Sequence, residues 1–219
     1  MAIKFRKYNP SPLFGDDYYA LRNFLLKLDN PTYLFGRWDW MISHGYLDKS
    51  GLPKIGLWEA DGNLAAVATY DCRLGEAFLL TAAGYESLKE EMLLYAKVAF
   101  EKDGKFKVLI LDSDMEMQET ASRNGFYPTQ GKECDAVYPI MWQDSASQSA
   151  LVEPVATDPA YRKIGLGKAA VLEAIRRCGN LGAKQAYVGS SQQFYYNIGF
   201  RPFTTSTWWE QKQHTEKLL

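Results

Sequence analysis

The 219-residue sequence carries 25 basic and 26 acidic side chains, a net charge of −1 that argues against nucleic acid as a partner. No apolar run reaches the roughly 18 residues that a membrane helix needs, and the N-terminus MAIKFRKYNP lacks the apolar core of a signal peptide. The three cysteines (Cys72, Cys134, Cys178) and two histidines (His44, His214) lack metal-ligand spacing, so we expect no metal site and no membrane association. An odd number of cysteines is typical of reduced thiols, which indicates a cytoplasmic protein.

The first half of the chain predicts helices and strands in alternation. Residues 16–28 predict an amphipathic helix, and Asp61-Gly62-Asn63 predicts the turn of a hairpin over residues 55–70. The aromatic-rich segment 33–46 could line a substrate cleft or an interface, although a packed helix and loop is the simpler interpretation. The remaining elements are a strand at 76–81, a helix at 88–100, a strand at 107–112, a short helix at 115–123 and a Gly125-Phe126 pair.

A polar segment of small residues at 144–149 is the best candidate for a linker. It follows a strand that ends near Trp142 and precedes a strand that begins near Leu151. The chain is long enough for two small domains, so we predict one unit over residues 1–143 and a second over 150–219.

Residues 151–168, LVEPVATDPAYRKIGLGK, carry the most informative motif of the chain. A strand-like run ends at 157–159, and RKIGLG then opens a helix. The two glycines leave backbone N–H groups accessible at the positive end of the helix dipole, an arrangement that favours phosphate. A Walker loop does not fit because Ala169 follows Lys168, and a Rossmann fingerprint does not fit because Lys163 stands at its first glycine. A plain tight turn is the remaining alternative.

The sequence after this motif predicts a helix, a strand at 184–189 and a short helix. Gly179 is the predicted C-cap of the first helix, whose apolar face consists of Leu166, Ala170, Val171, Ala174, Ile175 and Cys178. The short helix carries Tyr195 and ends at Gly199-Phe200. In this order, the elements of residues 150–210 resemble the acyl-CoA loop and the Y-x-x-x-G-F element of the GNAT superfamily of N-acetyltransferases. One departure is GSSQQ at 189–193, where the family often has an asparagine that contacts the cofactor.

The resemblance implies an α/β (α+β) fold, with a GNAT-like mixed sheet flanked by helices, and acetyl-CoA as co-substrate. It also implies that the cofactor strand around Val155, Ala156 and Thr157 hydrogen-bonds the pantetheine arm and polarises the acyl carbonyl. The predicted pyrophosphate loop consists of Arg162, Lys163, Ile164, Gly165, Leu166, Gly167 and Lys168. Solvated surface cations are the alternative interpretation of Arg162 and Lys163.

Two residues are candidates for the proton transfers that acetyl transfer to an amine requires. The resemblance makes Tyr195 the proton donor to the leaving thiolate, and the alternative is a tyrosine of the core. Glu153, on the cofactor strand, is the candidate base, and the alternative is an exposed or salt-bridged carboxylate.

The order of elements over 85–125 is similar to that over 161–199, which resembles a tandem form of the family with a degenerate first copy and a shortened second copy. The alternation found in any α/β protein is the alternative. In place of the glycines the first copy has three glutamates, which would repel a pyrophosphate: Glu86, Glu90 and Glu91. Ala121 stands where the second copy has Tyr195. We expect two GNAT-like units packed together, or a second unit whose open sheet edge pairs with another chain in a homodimer.

The function predicted from these motifs is an acetyl-CoA-dependent N-acetyltransferase that acts on an unidentified amine of a small molecule or peptide. A non-catalytic acyl-CoA-binding or regulatory module is the alternative, because the first copy has lost the loop and the second is shortened. The acceptor is not predicted, since its recognition would lie in the divergent first half.

Overall fold

The computed structural model describes residues 2–28, 30, 32–139, 148–152 and 155–211. Residue contacts divide the chain into unit 1, Met1–Lys132 with Ser206–Leu219, and unit 2, Glu133–Thr205. The helices are α1 (Asp16–Leu28), α2 (Phe35–Ser43), α3 (Lys89–Phe100), α4 (Met115–Arg123), α5 (Leu166–Asn180) and α6 (Gln193–Asn197). The strands are β1 (Ile3–Lys7), β2 (Gly56–Ala60), β3 (Asn63–Asp71), β4 (Arg73–Thr81), β5 (Lys107–Leu111), β6 (Phe126–Pro139), β7 (Gln148–Leu151), β8 (Ala183–Val188) and β9 (Arg201–Gln211). Within these described ranges, no helix has the length and apolarity needed to cross a membrane.

Unit 1 is built on a mixed sheet. Strands β1, β2, β3 and β4 are successive antiparallel neighbours, β4 runs parallel to β5, and β5 is antiparallel to the C-terminal part of β9. The predicted β2–β3 hairpin is confirmed: its turn residues Asp61 and Gly62 have φ angles of 50° and 78°, as a type I′ turn requires. The parallel pair β4–β5 is connected through α3, because parallel strands need a crossover rather than a tight turn.

The core of unit 1 is rich in aromatic side chains. Trp38 of α2 is fully buried and stacks on Tyr18 of α1, with ring centroids 5.9 Å apart. Tyr33 is also buried, and its hydroxyl donates a hydrogen bond of 3.1 Å to the backbone carbonyl of Tyr70. The aromatic-rich segment therefore contributes mainly to the core, as the simpler interpretation of the sequence predicted.

Helices α1 and α4 have the bounds predicted from the sequence. Asp16 and Asp17 lie in the first turn of α1, where negative charge is stabilised by the helix dipole. The side chain of Asp114 caps α4 by accepting the backbone N–H of Met117 at 3.0 Å. The buried face of α1 consists of Tyr18, Leu21, Phe24 and Leu25.

Unit 2 contains a smaller sheet, in which β8 runs parallel to β7 and antiparallel to β6. Helix α5 packs Val171 and Ile175 into a small apolar core with residues of β8. The predicted C-cap of α5 is wrong, because Gly179 is buried inside the last helical turn. The residue that leaves the helix in the left-handed conformation is Gly182, with φ of 97°.

The boundaries between the two units differ from those predicted from the sequence, at residues 143 and 150. Residues 133–139 belong to unit 2, where Ala136–Pro139 pairs with β8, and residues 206–211 belong to unit 1, where β9 pairs with β5. Each of these segments covers a strand edge whose N–H and C=O groups would otherwise lack partners. Strand β7 begins at Gln148, inside the predicted linker at 144–149, of which 144–147 lie outside the described residues.

We expect Trp209→Ala to lower the free energy of unfolding of unit 1 by about 3–5 kcal/mol, because Trp209 is buried against Val108 of β5 and its loss leaves a cavity. Phe203→Ala is the control, since Phe203 lies on the part of the same strand that belongs to unit 2, where its ring packs on Tyr187. It should change the free energy of unfolding of unit 1 by about 0.5 kcal/mol or less. Chemical denaturation measures both values, and amide hydrogen exchange locates the effect. Faster exchange confined to β7 and β8 in Trp209→Ala would contradict this assignment.

Candidate functional site

A left-handed turn precedes α5 and directs the backbone into the helix. Lys163 and Gly165 have φ angles of 65° and 91°, and Gly165 is the N-cap residue. A Cβ on Gly165 would meet no atom within 4 Å, so its dihedral angle rather than lack of space requires glycine there. Helical geometry leaves the N–H groups of Leu166, Gly167 and Lys168 without helical acceptors. The turn therefore presents several backbone donors at the positive end of the α5 dipole.

Gly167 is favoured for a different, steric reason. A Cβ at this position would lie 3.1 Å from Oγ1 of Thr157 and 3.5 Å from the ring of Phe194. The first turn of α5 thus passes close to the segment before it and to α6. A Cβ here would require Oγ1 of Thr157 to move by a few tenths of an ångström, and a larger side chain would require more.

The turn, the segment before it and α6 together line a cavity of about 500 Å³, which we call the loop cavity. Nine of the predicted site residues line it: Val155, Thr157, Arg162, Lys163, Gly165, Leu166, Gly167, Lys168 and Tyr195. Ala156 does not line it, and Ile164 has 68% of its surface exposed outside it. Glu153, the candidate base, lies outside the described residues. Three further residues line the loop cavity and were not predicted to do so: Tyr161, Gln192 and Phe194.

Tyr195 lies on α6 with only 8% of its surface exposed. Its ring meets Phe194 and Phe200 edge-on, with centroid distances of 5.1 and 5.5 Å. The backbone N–H of Phe200 donates to the carbonyl of Tyr195 at 3.1 Å, which closes the turn after the short helix. Aromatic contacts of this geometry stabilise one orientation of the ring. Tyr195 is therefore both a residue of the small core and part of the wall of the loop cavity.

The structure changes one expectation about the loop and bears on the alternative interpretation of Arg162. Residues Val155, Ala156 and Thr157 do not form a strand, because β7 ends at Leu151. Proline has no N–H to donate to a ladder, and Pro154 lies between the strand and this segment. Arg162 is not simply a solvated cation. Its Nε donates a hydrogen bond of 3.0 Å to the carbonyl oxygen of Thr157, which links residues 155–157 to the turn before α5.

A second cavity, of about 560 Å³, lies along α5, and we call it the α5 cavity. The residues common to both cavities are Val155, Thr157, Tyr161, Leu166 and Gly167. The predicted apolar face of α5 is divided, since Val171 and Ile175 are buried whereas Leu166, Ala170 and Ala174 are exposed along this cavity.

The turn before α3 in unit 1, which the repeat interpretation matches to the glycine turn, contains a carboxylate of its own. Gly84, with φ of 89°, donates its N–H to Oε1 of Glu86 at 3.0 Å. Hydrogen bonds from backbone N–H groups of Glu86 and Gly84 lower the pKa of the Glu86 carboxyl, because they stabilise its charged form. Ala121 of α4, which the repeat interpretation matches to Tyr195, is fully buried in an apolar core. Across the described ranges, no group of three His, Cys, Asp or Glu side chains could hold a metal ion.

Residues 134–200 match the model of the acetyltransferase (GNAT) family. No curated protein sequence matches the chain. A GCN5-related N-acetyltransferase from Sphaerobacter thermophilus is similar in structure, with a TM-score of 0.53, 10% identity and 95% of each chain covered. A tandem GNAT protein from the clavulanic acid biosynthesis pathway gives a TM-score of 0.50 at 10% identity, over 95% of this chain and 98% of that one. These likenesses confirm the predicted fold, a GNAT-like mixed sheet flanked by helices.

We expect Gly167→Val to weaken acetyl-CoA binding about tenfold or more, since its side chain would displace Thr157 or Phe194 in the wall of the loop cavity, at a cost of about 1–3 kcal/mol. Gly45→Val is the matched control, because a Cβ on Gly45 meets no atom within 4 Å. Calorimetric titration measures the affinity, and circular dichroism checks that both variants fold. An unchanged affinity in folded Gly167→Val would remove the main structural support for phosphate binding at this turn.

Proposed function

We propose that the chain is an acetyl-CoA-dependent N-acetyltransferase that transfers an acetyl group to an amine of a small molecule or peptide. The observation that carries this proposal is the loop cavity, where the backbone donors before α5 and the hydroxyl-bearing Tyr195 line one space. The family match over residues 134–200 covers both elements and supports acetyl transfer as the reaction class.

The residues of the loop cavity fit acetyl-CoA. Gly167 keeps the first turn of α5 open to a pyrophosphate, whose oxygens would accept the N–H groups of residues 165–168. The cations Lys163 and Lys168 line the same cavity and would balance the phosphate charge. The backbone of Val155, Ala156 and Thr157 would hydrogen-bond the pantetheine arm, and its irregular conformation leaves N–H and C=O groups outside a ladder.

Acetyl-CoA, when bound, supplies the acetyl group as a thioester. The acceptor amine forms the new C–N bond as the C–S bond breaks, so one proton must leave nitrogen and one must reach sulphur. Tyr195 would donate its phenolic proton to the leaving sulphur, and solvent would restore it. Glu153 would accept the proton from the amine. Backbone N–H groups facing the cavity would hold the acyl oxygen, where negative charge develops.

We also propose that unit 1 is a degenerate copy of the same kind of unit and binds no CoA. Its turn contains Glu86, whose carboxylate accepts the Gly84 N–H that a phosphate oxygen would otherwise use. A bound phosphate would therefore have to displace a charged group of the protein and would be repelled by it. Ala121 offers no proton donor in this copy.

Tyr195→Phe is expected to lower kcat by about 10²–10⁴-fold with little change in acetyl-CoA affinity, because the proton donor is lost and the ring remains. Tyr196→Phe, one residue along the same helix and outside the cavity wall, is the matched control and should keep its turnover. Thiol release with a library of amines measures turnover, and thermal melting measures stability.

A purely structural tyrosine gives the opposite pattern. Loss of a buried hydroxyl whose partner is left unpaired would cost about 1–3 kcal/mol of stability without affecting kcat. Full activity in a Tyr195→Phe variant that melts early would therefore exclude the catalytic role. Acetyl-CoA binding without turnover on any amine would favour the alternative, a non-catalytic acyl-CoA-binding module.

Calorimetric titration of the full chain with acetyl-CoA should give one equivalent bound per chain, because the turn of unit 1 contains Glu86. Gly167→Val should lower the affinity of that single site for acetyl-CoA. Glu86→Gln should leave the affinity of the site in unit 2 unchanged. Two equivalents in the unmodified chain would contradict the degenerate copy.

A further inference from the structure

A cleft of about 780 Å³ lies beside the last turn of α3, and we call it the α3 cleft. It is also lined by the turn at 101–105, by residues 73–76 of β4 and by the start of β5. All of its lining residues belong to unit 1, and none of them lines the loop cavity or the α5 cavity. Helix α3 extends about 18 Å from the Glu86 turn to this cleft. The proposed function therefore uses none of these residues, although the volume is that of a small-molecule site.

The least exposed part of the α3 cleft is apolar and has its charges balanced within the protein. Phe126 is buried and Phe106 is half-buried, and their rings meet edge-on with centroids 6.0 Å apart. The Lys107 ammonium lies 3.7 Å from the centroid of the Trp208 ring and 3.2 Å from Oε2 of Glu76. An apolar group of a ligand could therefore pack on the two phenylalanine rings without covering an unbalanced charge.

The rim of the α3 cleft, in contrast, carries unbalanced charges of both signs. Within the part of the chain that the structure describes, Arg73, Lys97 and Lys105 form no ion pair, and neither do Glu101 and Asp103. Glu101 directly follows α3, so it lies at the end of the helix dipole that favours a positive charge. A purely anionic ligand would be repelled by the two carboxylates, and a purely cationic one by the three cations. The rim therefore favours a ligand that carries one charge of each sign.

A tight turn fixes the position of one of these cations. Asp103 and Gly104 have φ angles of 53° and 71°, as a type I′ turn requires. Lys102 and Lys105 exchange both backbone hydrogen bonds across it, at 3.1 and 3.0 Å, so their side chains project from the same face, where like charges repel. Lys102 pairs with Asp48 at 3.0 Å. Lys105 is therefore the cation of this pair whose charge a ligand carboxylate would balance.

We propose that the α3 cleft binds a free amino acid with an apolar side chain. The carboxylate of the amino acid would lie against Lys97 and Lys105, its ammonium group against Glu101, and its side chain on the rings of Phe106 and Phe126. This inference goes beyond the proposed function and does not depend on it. Unit 1 would then have a small-molecule ligand of its own, separate from the co-substrate.

The test compares three probes that share a phenyl ring, each titrated into the full chain and followed by amide NMR. The probes are L-phenylalanine, 3-phenylpropanoate, which lacks the ammonium group, and 2-phenylethylamine, which lacks the carboxylate. Phenylalanine should bind more tightly than either of the other two, and its largest shifts should fall at residues 73–76 and 101–107.

Two charge-removing variants assign the two ends of the ligand. Lys105→Gln should weaken phenylalanine and 3-phenylpropanoate by roughly 1.5- to 5-fold, the range for one exposed ion pair, and should not weaken 2-phenylethylamine. Glu101→Gln should weaken phenylalanine and 2-phenylethylamine by a similar factor and should not weaken 3-phenylpropanoate. Lys4→Gln is the matched control, because Lys4 is an exposed lysine of unit 1 that does not line the cleft.

An absence of shifts at residues 73–76 and 101–107 with millimolar phenylalanine would overturn the inference, as would equal affinity for the three probes. Shifts confined to residues 163–168 would also overturn it, because they would place the amino acid at the loop cavity. Titration of the same protein with acetyl-CoA tests the proposed function separately. Phenylalanine bound at the α3 cleft of a protein that binds no acetyl-CoA would support this inference and contradict the proposed function.

Discussion

The close approach of Gly167 to Thr157 is the contact on which the candidate site depends. A Cβ at Gly167 would come within 3.1 Å of the Thr157 hydroxyl oxygen, so glycine lets α5 begin at this distance from the preceding segment without moving Thr157. The left-handed conformation of Gly165 then orients the first turn of α5, and Arg162 holds the Thr157 carbonyl from the other side. Together these restraints hold backbone donors, cations and Tyr195 around one cavity. The arrangement is therefore prepared before any ligand binds, which limits the entropy lost on binding.

The turns before α3 and α5 both present backbone N–H groups, but they differ in what can accept them. Before α5, the N–H groups have no partner within the helix and face a cavity lined by Lys163 and Lys168. Before α3, the carboxylate of Glu86 accepts the Gly84 N–H, and the charged form of that carboxyl is favoured by the bond. In unit 1 the Glu86 carboxylate accepts a backbone N–H of the turn. In unit 2 we propose that the pyrophosphate of acetyl-CoA accepts the N–H groups. The proposals of a degenerate first copy and of a single cofactor site both depend on this difference.

Local features of the site and the helices could be predicted from the sequence, whereas long-range pairing could not. The glycine turn and the bounds of α1 and α4 depend on residues close together in the chain, such as Gly165, Asp16 and Asp114. The pairing of β9 with β5 and of β6 with β8 depends on partners far away, and an apolar strand pattern does not specify its neighbour. Gly179 was mistaken for a cap because Gly182, three residues later, fits the same local rule. Tyr161 and Gln192 were missed because only the cavity reveals their position.

We propose that the N–H groups before α5 bind the pyrophosphate of acetyl-CoA. The most direct measurement is an amide NMR titration of the full chain with acetyl-CoA, which reports each backbone N–H separately. The account predicts the largest changes at residues 163–168, smaller changes around Tyr195, and none at Gly84 or Glu86. Changes confined to unit 1, or a saturating titration that leaves residues 163–168 unaffected, would contradict it.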